Sequence, residues 1–197
     1  MNVTFISFGE HIASSRLRAI IPQRELAKLG VHPGKEIAVY GKHIVPMDAL
    51  KWAKKRVFDV CDDHFGSQFD AYYREHIAAA DMVTCNSDTM AAIIDRETGR
   101  EAIVIPDPYE SDERPVGAGK GVLWFGHHSN LIDLEPYRDI PGLKILTGED
   151  WTRKKQLQAL NDCAVVIIPT GKSMAKSANR LIETVRNGRF AVVGDLP

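Results

Sequence analysis

A stretch near the end of the 197-residue chain combines three cations with one carboxylate. Lys172, Lys176 and Arg180 follow an apolar segment and precede Glu183, with no acid among them. The segment predicts a strand that leads through a proline and a glycine into a helix. Cations at a helix start oppose the macrodipole, which favours negative charge there, and the free N–H groups of a helix start bind phosphate. The stretch therefore predicts a phosphate-and-ribose site, with the cations on phosphates and Glu183 on sugar hydroxyls.

This stretch has two other interpretations. Lys176, Arg180 and Glu183 lie at i, i+4 and i+7 and share one helix face, which also suits a solvated face with a weak Arg180–Glu183 ion pair. The strand–proline–glycine approach and the cations at the helix start favour the anion site. Gly171-Lys172-Ser173 is not a P-loop, because that motif needs a glycine five positions earlier, where Val166 stands.

The elements that would position these residues follow from strand-like and helical runs that alternate along the whole chain. Residues 110–120 are polar and contain a proline and two glycines, which is a linker composition. The pattern predicts an α/β fold of two Rossmann-like parallel-sheet domains that face each other across a cleft. The domains are expected at 1–109 and 121–197, with the linker at 110–120. One predicted helix is short and basic and runs from Asp48 to Arg56.

Parallel sheets bind ligands beyond the carboxyl ends of their strands, so polar residues that follow strands are further candidates. Asp59, Asp62, Asp63 and His64 lie at such a place and carry the oxygen and imidazole groups that bind divalent metals. The alternative is a strand end whose aspartate caps a helix or pairs with an arginine, and the sequence offers no second ligand cluster. His64 is favoured as a cleft residue that contacts a substrate hydroxyl.

Two other turns carry candidate groups. Arg16 and Arg18 open the first predicted helix, where cations again indicate a nearby anion; the alternative is a solvent-facing pair matched by glutamates. Gly126 follows a predicted strand and lets the backbone approach a ligand closely. It precedes His127-His128, which is a weak metal pair because adjacent side chains point in different directions.

The composition is that of an ordinary globular protein, with 44% hydrophobic and 26% charged residues. A net charge of −1 creates no global field toward nucleic acid or a membrane. No apolar run approaches the roughly 20 residues of a membrane span. The three cysteines are odd in number and far apart, which indicates neither a disulfide framework nor a zinc site. We expect a cytoplasmic protein without a transmembrane segment.

Several segments together are similar to a known family in their order and spacing. They are 14–19 with 26–30, 58–62, 80–87, 104–108, 122–126, and 176–183 with Gly188. On these segments the chain resembles glycosyltransferases of the two-Rossmann-domain (GT-B) fold, close to the glycogen-synthase-like, family-4-type group that uses nucleotide sugars. The resemblance implies transfer of a sugar from a nucleotide-diphosphate sugar to an acceptor hydroxyl, with retention of configuration.

The resemblance also implies roles for individual residues. Glu183 would hold the donor ribose hydroxyls, with Gly126 and Asn179 on the same ribose and sugar side. Among the cations, Lys176 and Arg180, with Lys172, would lie near the donor diphosphate. In the first domain, Gly9 and Arg16 would face the donor phosphates, and His64 would contact the transferred sugar. The nucleotide sugar is the co-substrate, and no cofactor or bound metal is expected.

Two departures from the family pattern keep other functions open. The family has paired glutamates eight positions apart, and Ala175 stands where the first is expected. The chain also stops at Pro197, so a short or truncated member with an incomplete second domain is expected. The alternative is therefore a catalytically incomplete module that binds a nucleotide or sugar phosphate. A nucleotide-sugar epimerase is disfavoured, because no G-x-G-x-x-G follows any predicted strand. The acceptor and the oligomeric state stay open.

Overall fold

A computed structural model of the chain describes residues 1–41, 44–169 and 177–194, and within these ranges nine strands form two parallel sheets. The described chain divides into two units. The first contains residues 1–108 with Ser177, and the second contains residues 109–169 and 178–194. The predicted α/β class with two parallel sheets is confirmed.

The first unit is a five-stranded parallel sheet with helical connections. In spatial order its strands are β1 (Val3–Phe5), β2 (Ile37–Gly41), β3 (Lys55–Val60), β4 (Met82–Cys85) and β5 (Ile103–Val104). Its helices are α1 (Ala13–Ser15), a π-helical turn (Arg16–Ile20), α2 (Ile21–Lys28), a 3-10 turn (Met47–Leu50), α3 (Asp70–Ala79) and α4 (Asp88–Thr98). Tyr40, Phe58, Tyr73 and Ile77 belong to the hydrophobic core of this unit.

The second unit is a four-stranded parallel sheet. Its strands are β6 (Val122–Phe125), β7 (Leu143–Leu146), β8 (Val165–Ile168) and β9 (Phe190–Val193), in the spatial order β7-β6-β8-β9. The helical elements are two 3-10 segments (His128–Tyr137 and Gly148–Asp150), α5 (Arg153–Asp162) and α6 (Asn179–Arg186). Leu123 and Leu160 lie in its main core, and Trp124 packs with Leu134 on a second cluster.

One predicted helix is wrong. The segment Asp48 to Arg56 forms only the 3-10 turn Met47–Leu50, and Lys55 and Arg56 belong to β3. Both basic residues pair with β2, Lys55 with Ile37 and Arg56 with Ala38. The long-range ladder hydrogen bonds of β3 therefore outweigh the local helical tendency of the basic run.

The polar segment 110–120 packs within the second unit. The Arg114 amide donates to the Arg186 carbonyl at 2.7 Å, and the Lys120 amide donates to the Asp162 carbonyl at 2.7 Å. Gly188 has a φ of +67°, and a Cβ at this position would lie 2.2 Å from the Pro115 carbonyl oxygen. The segment therefore contacts the second sheet's helices closely. Within the part of the chain that the structure describes, no helix is long and apolar enough to cross a membrane.

Candidate functional site

The second sheet contains a reversal of strand order. From β6 the chain forms β7 on one side and then crosses to β8 on the other side of β6. Such a reversal opens a crevice at the carboxyl ends of the strands, where α/β proteins bind ligands. The residues at this edge are Gly126 after β6, Thr147 after β7 and Pro169 after β8. The described strands of the first sheet run in sequence order without a reversal.

Gly126 and Arg180 lie against each other at this edge. A Cβ at Gly126 would be 3.5 Å from Nη1 of Arg180 and 3.2 Å from Cζ2 of Trp124. The lack of a side chain at Gly126 thus lets the end of β6 approach the guanidinium. Arg180 belongs to the first turn of α6, directly after Asn179. The start of α6 therefore meets the end of β6 at the strand reversal.

The guanidinium of Arg180 is incompletely satisfied. Its Nη1 atom is buried and has no hydrogen-bond partner within the described ranges. Burial lowers the pKa of Arg180, and the nearby charge of Asp133 opposes this shift. A buried donor without an acceptor costs about 1–3 kcal/mol, and more when the group is charged. An anion at this position would supply the missing acceptor.

Thr147, directly after β7, lies at the same edge and was not among the predicted site residues. Its Oγ1 atom is buried and has no hydrogen-bond partner among the described residues. The Gly126 amide donates to the Leu146 carbonyl at 3.2 Å, so Thr147 and Gly126 are neighbours at the sheet edge. The indole Nε1 of Trp124 in β6 is likewise buried and lacks a partner there. The available signal for Thr147 was its position directly after a predicted strand.

Glu183 is buried in the second unit, with 4% of its surface exposed. Its Oε1 accepts hydrogen bonds from the backbone amides of Glu110 at 3.1 Å and Ser111 at 3.0 Å. Its Oε2 accepts from Oγ of Ser111 at 2.7 Å and from Nη2 of Arg153 at 2.8 Å. Both carboxylate oxygens are therefore engaged by residues of the same unit.

Arg153 contacts this buried carboxylate. It is the first residue of α5, whose N-cap is Thr152. Its Nη1 lies 3.6 Å from a carboxylate oxygen of Glu110, so one arginine approaches two acidic residues. The local pattern could not reveal this contact because Arg153 and Glu183 are 30 positions apart. The predicted alternative, an Arg180–Glu183 ion pair, is absent from the part of the chain that the structure describes.

The remaining candidates of the second domain are placed only in part. Asn179 begins α6 and is the residue before Arg180. Lys172 and Lys176 lie outside the described residues. The structure therefore brings together Gly126 and Arg180, with Asn179 next to Arg180 in the chain, and one helical turn further along α6 it places Glu183 among other partners.

The first-unit candidates lie near the start of the chain and after β3. Gly9 has a φ of +113°, a conformation that favours glycine. Arg16 donates through Nη1 to the Glu10 carbonyl at 2.6 Å, which folds its side chain back over the turn. The His64 ring packs edge-on against Tyr73, with ring centroids 4.9 Å apart, and against Phe69 at 5.2 Å. His64 is thus oriented by an aromatic pair.

Asp59 lies in β3 and pairs with an arginine. Such a pair was one of the predicted alternatives to a metal site. Its carboxylate accepts hydrogen bonds from Arg18 and, at 2.6 Å, from Oγ1 of Thr84. Within the ranges that the structure describes, no group of three or more His, Cys, Asp or Glu side chains is arranged to hold a metal ion. Arg18 points inward to Asp59 and does not form a solvent-facing pair with Arg16.

Neither a comparison with models of known protein families nor one with curated protein sequences finds a match to this chain.

Proposed function

We propose that the protein is a glycosyltransferase that moves a sugar from a nucleotide-diphosphate sugar to an acceptor hydroxyl. The observation that carries the proposal is the buried, incompletely paired guanidinium of Arg180 beside Gly126. It lies at the strand reversal of a parallel sheet, where nucleotides bind in α/β proteins. The family resemblance of the sequence adds the reaction class, the retention of configuration and the GT-B arrangement of two domains across a cleft.

In the proposed reaction the bond between the sugar carbon and the diphosphate breaks, the acceptor oxygen bonds to the same carbon and gives up its proton, and the diphosphate leaves with its negative charge. Arg180 and the free N–H groups at the start of α6 stabilise that charge, which is electrostatic stabilisation of a leaving group. Lys172 and Lys176 are expected to add to it. Glu183 binds the ribose hydroxyls, and Gly9, Arg16 and His64 contribute from the first domain, in the roles implied by the resemblance.

The test is release of nucleoside diphosphate from a panel of nucleotide sugars, with and without candidate acceptors. We expect one nucleotide sugar to be turned over and Arg180→Gln to abolish the release. The control is Arg138→Gln, since Arg138 is an arginine of the same unit that is 46% exposed and pairs with Glu135. Failure of every nucleotide and of inorganic pyrophosphate to bind would refute the site.

A second candidate function is a module that binds a nucleotide or sugar phosphate without turnover. It is favoured by the engagement of both Glu183 oxygens with Ser111 and Arg153 and by Ala175 in place of the family's first glutamate. Tight nucleotide binding that depends on Arg180, combined with no release from any nucleotide sugar, would establish this function instead.

A further inference from the structure

Residues 109–114, here called the strap, are held along the second turn of α6 by Glu183 and Arg186. Nε of Arg186 donates to the Ser111 carbonyl at 2.8 Å, and the Arg186 guanidinium lies 4.1 Å from the centre of the Tyr109 ring. The Arg186 carbonyl accepts from the Arg114 amide at 2.7 Å. Arg186 therefore holds the strap independently of Glu183.

The strap also occupies the carboxylate of Glu183. An ionised carboxylate offers about four acceptor positions. Four donors already fill them: the amides of Glu110 and Ser111, the Ser111 hydroxyl and the Arg153 guanidinium. Three of these four donors belong to the strap. A ribose diol needs the same acceptors, since each hydroxyl must donate to an oxygen.

We propose that the strap and the ribose of a nucleotide compete for Glu183, so that nucleotide binding releases the strap. This inference rests on the proposed function, in which Glu183 binds the ribose. The ribose hydroxyls replace the Ser111 hydroxyl and the two strap amides as donors, while Arg153 stays and keeps the carboxylate paired. Arg153 also contacts the strap, since its Nη2 donates to Oγ of Ser111 at 2.6 Å and its Nη1 lies 3.6 Å from a carboxylate oxygen of Glu110, so both nitrogens become available when the strap leaves.

Competition with the strap lowers the affinity of a ligand by an amount that can be measured. A ligand that needs a minor conformation binds more weakly in proportion to the population of that conformation. Weakening the strap therefore tightens the binding of any ligand that uses Glu183 and leaves unchanged the binding of a ligand that does not. A nucleoside diphosphate and inorganic pyrophosphate form this pair of probes, because only the former carries a ribose.

The variants Ser111→Ala and Arg186→Gln each remove a different contact that holds the strap on α6. We expect each to tighten the binding of the preferred nucleoside diphosphate about tenfold, the effect of losing one hydrogen bond to a charged group. Pyrophosphate affinity should not change. Ser7→Ala is the matched control, because Ser7 is an exposed serine of the first unit. Calorimetric titration of the full chain measures all the affinities.

Hydrogen exchange gives a second readout that a purely structural strap would not produce. We expect the amides of Glu110 and Ser111 to exchange faster when the nucleoside diphosphate binds and to stay protected when pyrophosphate binds. Unchanged affinity in both variants, with exchange at these amides unaltered by a nucleotide whose binding needs Arg180, would overturn the competition and leave the proposed function standing. Absence of nucleotide binding to the wild-type chain and to both variants would overturn both.

Discussion

Arg18 and Asp59 form a two-point ion pair inside the first unit. Nε of Arg18 donates to Oδ2 of Asp59 at 2.9 Å, and Nη2 donates to Oδ1 at 2.6 Å. Burial alone would lower the pKa of Arg18, but the hydrogen bonds and the charge of Asp59 raise it above its ordinary value. Nη1 of the same arginine reaches Asp107 at 3.3 Å, so Arg18 ties the first helical region to β3 and to the end of the unit.

Asp59→Ala should destabilise the protein by about 3–5 kcal/mol, because it leaves the buried Arg18 without its main acceptor. Urea unfolding measures the change. The control is Asp48→Ala, since Asp48 is 82% exposed and pairs with Lys51. An exposed pair contributes at most about 1 kcal/mol. Equal destabilisation by the two substitutions would contradict a structural role for the Arg18–Asp59 pair.

Arg180→Met should leave the free energy of unfolding of the ligand-free protein unchanged or raise it by about 1 kcal/mol. The substitution removes a buried donor that lacks an acceptor and retains most of the side chain's apolar contacts. The same change should lower pyrophosphate affinity about 10- to 100-fold, since charged hydrogen bonds contribute about 1.5–3 kcal/mol. Thermal unfolding and calorimetry check the two effects. A marked loss of stability would show that Arg180 serves the fold.

Gly126→Ala should reduce the binding free energy of pyrophosphate by more than it reduces the free energy of unfolding. The new Cβ would lie 3.5 Å from Nη1 of Arg180 and 3.2 Å from the Trp124 ring, so it narrows the space beside the guanidinium. Because Gly126 has no positive φ, the backbone accepts alanine. Gly142→Ala is the control: its φ is +71° and its surroundings are open, so it strains the chain by about 1 kcal/mol and leaves binding unchanged.

Stability should fall as the pH drops below about 6.5, in part because of His76. Burial lowers the pKa of His76 from its ordinary 6.5; the charge of Glu75 opposes this shift, and the charge of Arg56 adds to it. The folded state therefore binds fewer protons than the unfolded chain. The contribution of His76 to the free energy of unfolding is complete above pH 6.5 and decreases as the pH falls from there to the lower pKa of the folded state.

His76→Phe should flatten this pH dependence, as measured by urea midpoints between pH about 7 and about 5. His32→Gln is the control, because His32 is exposed. A dependence that His76→Phe leaves intact would assign the acid sensitivity to other groups.

Local features of the fold were predictable from the sequence. Short apolar runs predict strands at Met82–Cys85, Val122–Phe125, Leu143–Leu146 and Phe190–Val193, and the structure has strands with these bounds. In the sequence Ser87 predicts a helix start and Gly99 a helix end; in the structure Ser87 caps α4 through the Met90 amide, and Gly99 ends that helix in a left-handed conformation. These features depend on apolar runs and capping residues that lie within one element.

The partners of charged side chains were not predictable, because they depend on contacts between distant elements. Glu183 is engaged by Ser111 from 72 positions away, and Arg18 by Asp59 from 41 positions away. The spacing of Arg180 and Glu183 correctly indicated one helix but not that only Arg180 lies beside Gly126 at the strand reversal. The order of the strands, which creates that reversal, is likewise a property of the whole sheet.

The π-helical turn Arg16–Ile20 holds one residue more than an α-helical turn would. Each residue of a helix advances the direction of the side chains by about 100°. The surplus residue therefore rotates the side chains before the turn relative to those of α2, and Arg18, which contacts Asp59, lies within the turn. The direction of the Arg18 side chain thus depends on the number of residues in the turn as well as on the type of residue. A chain with one residue deleted from the turn would keep Arg18 and point it elsewhere.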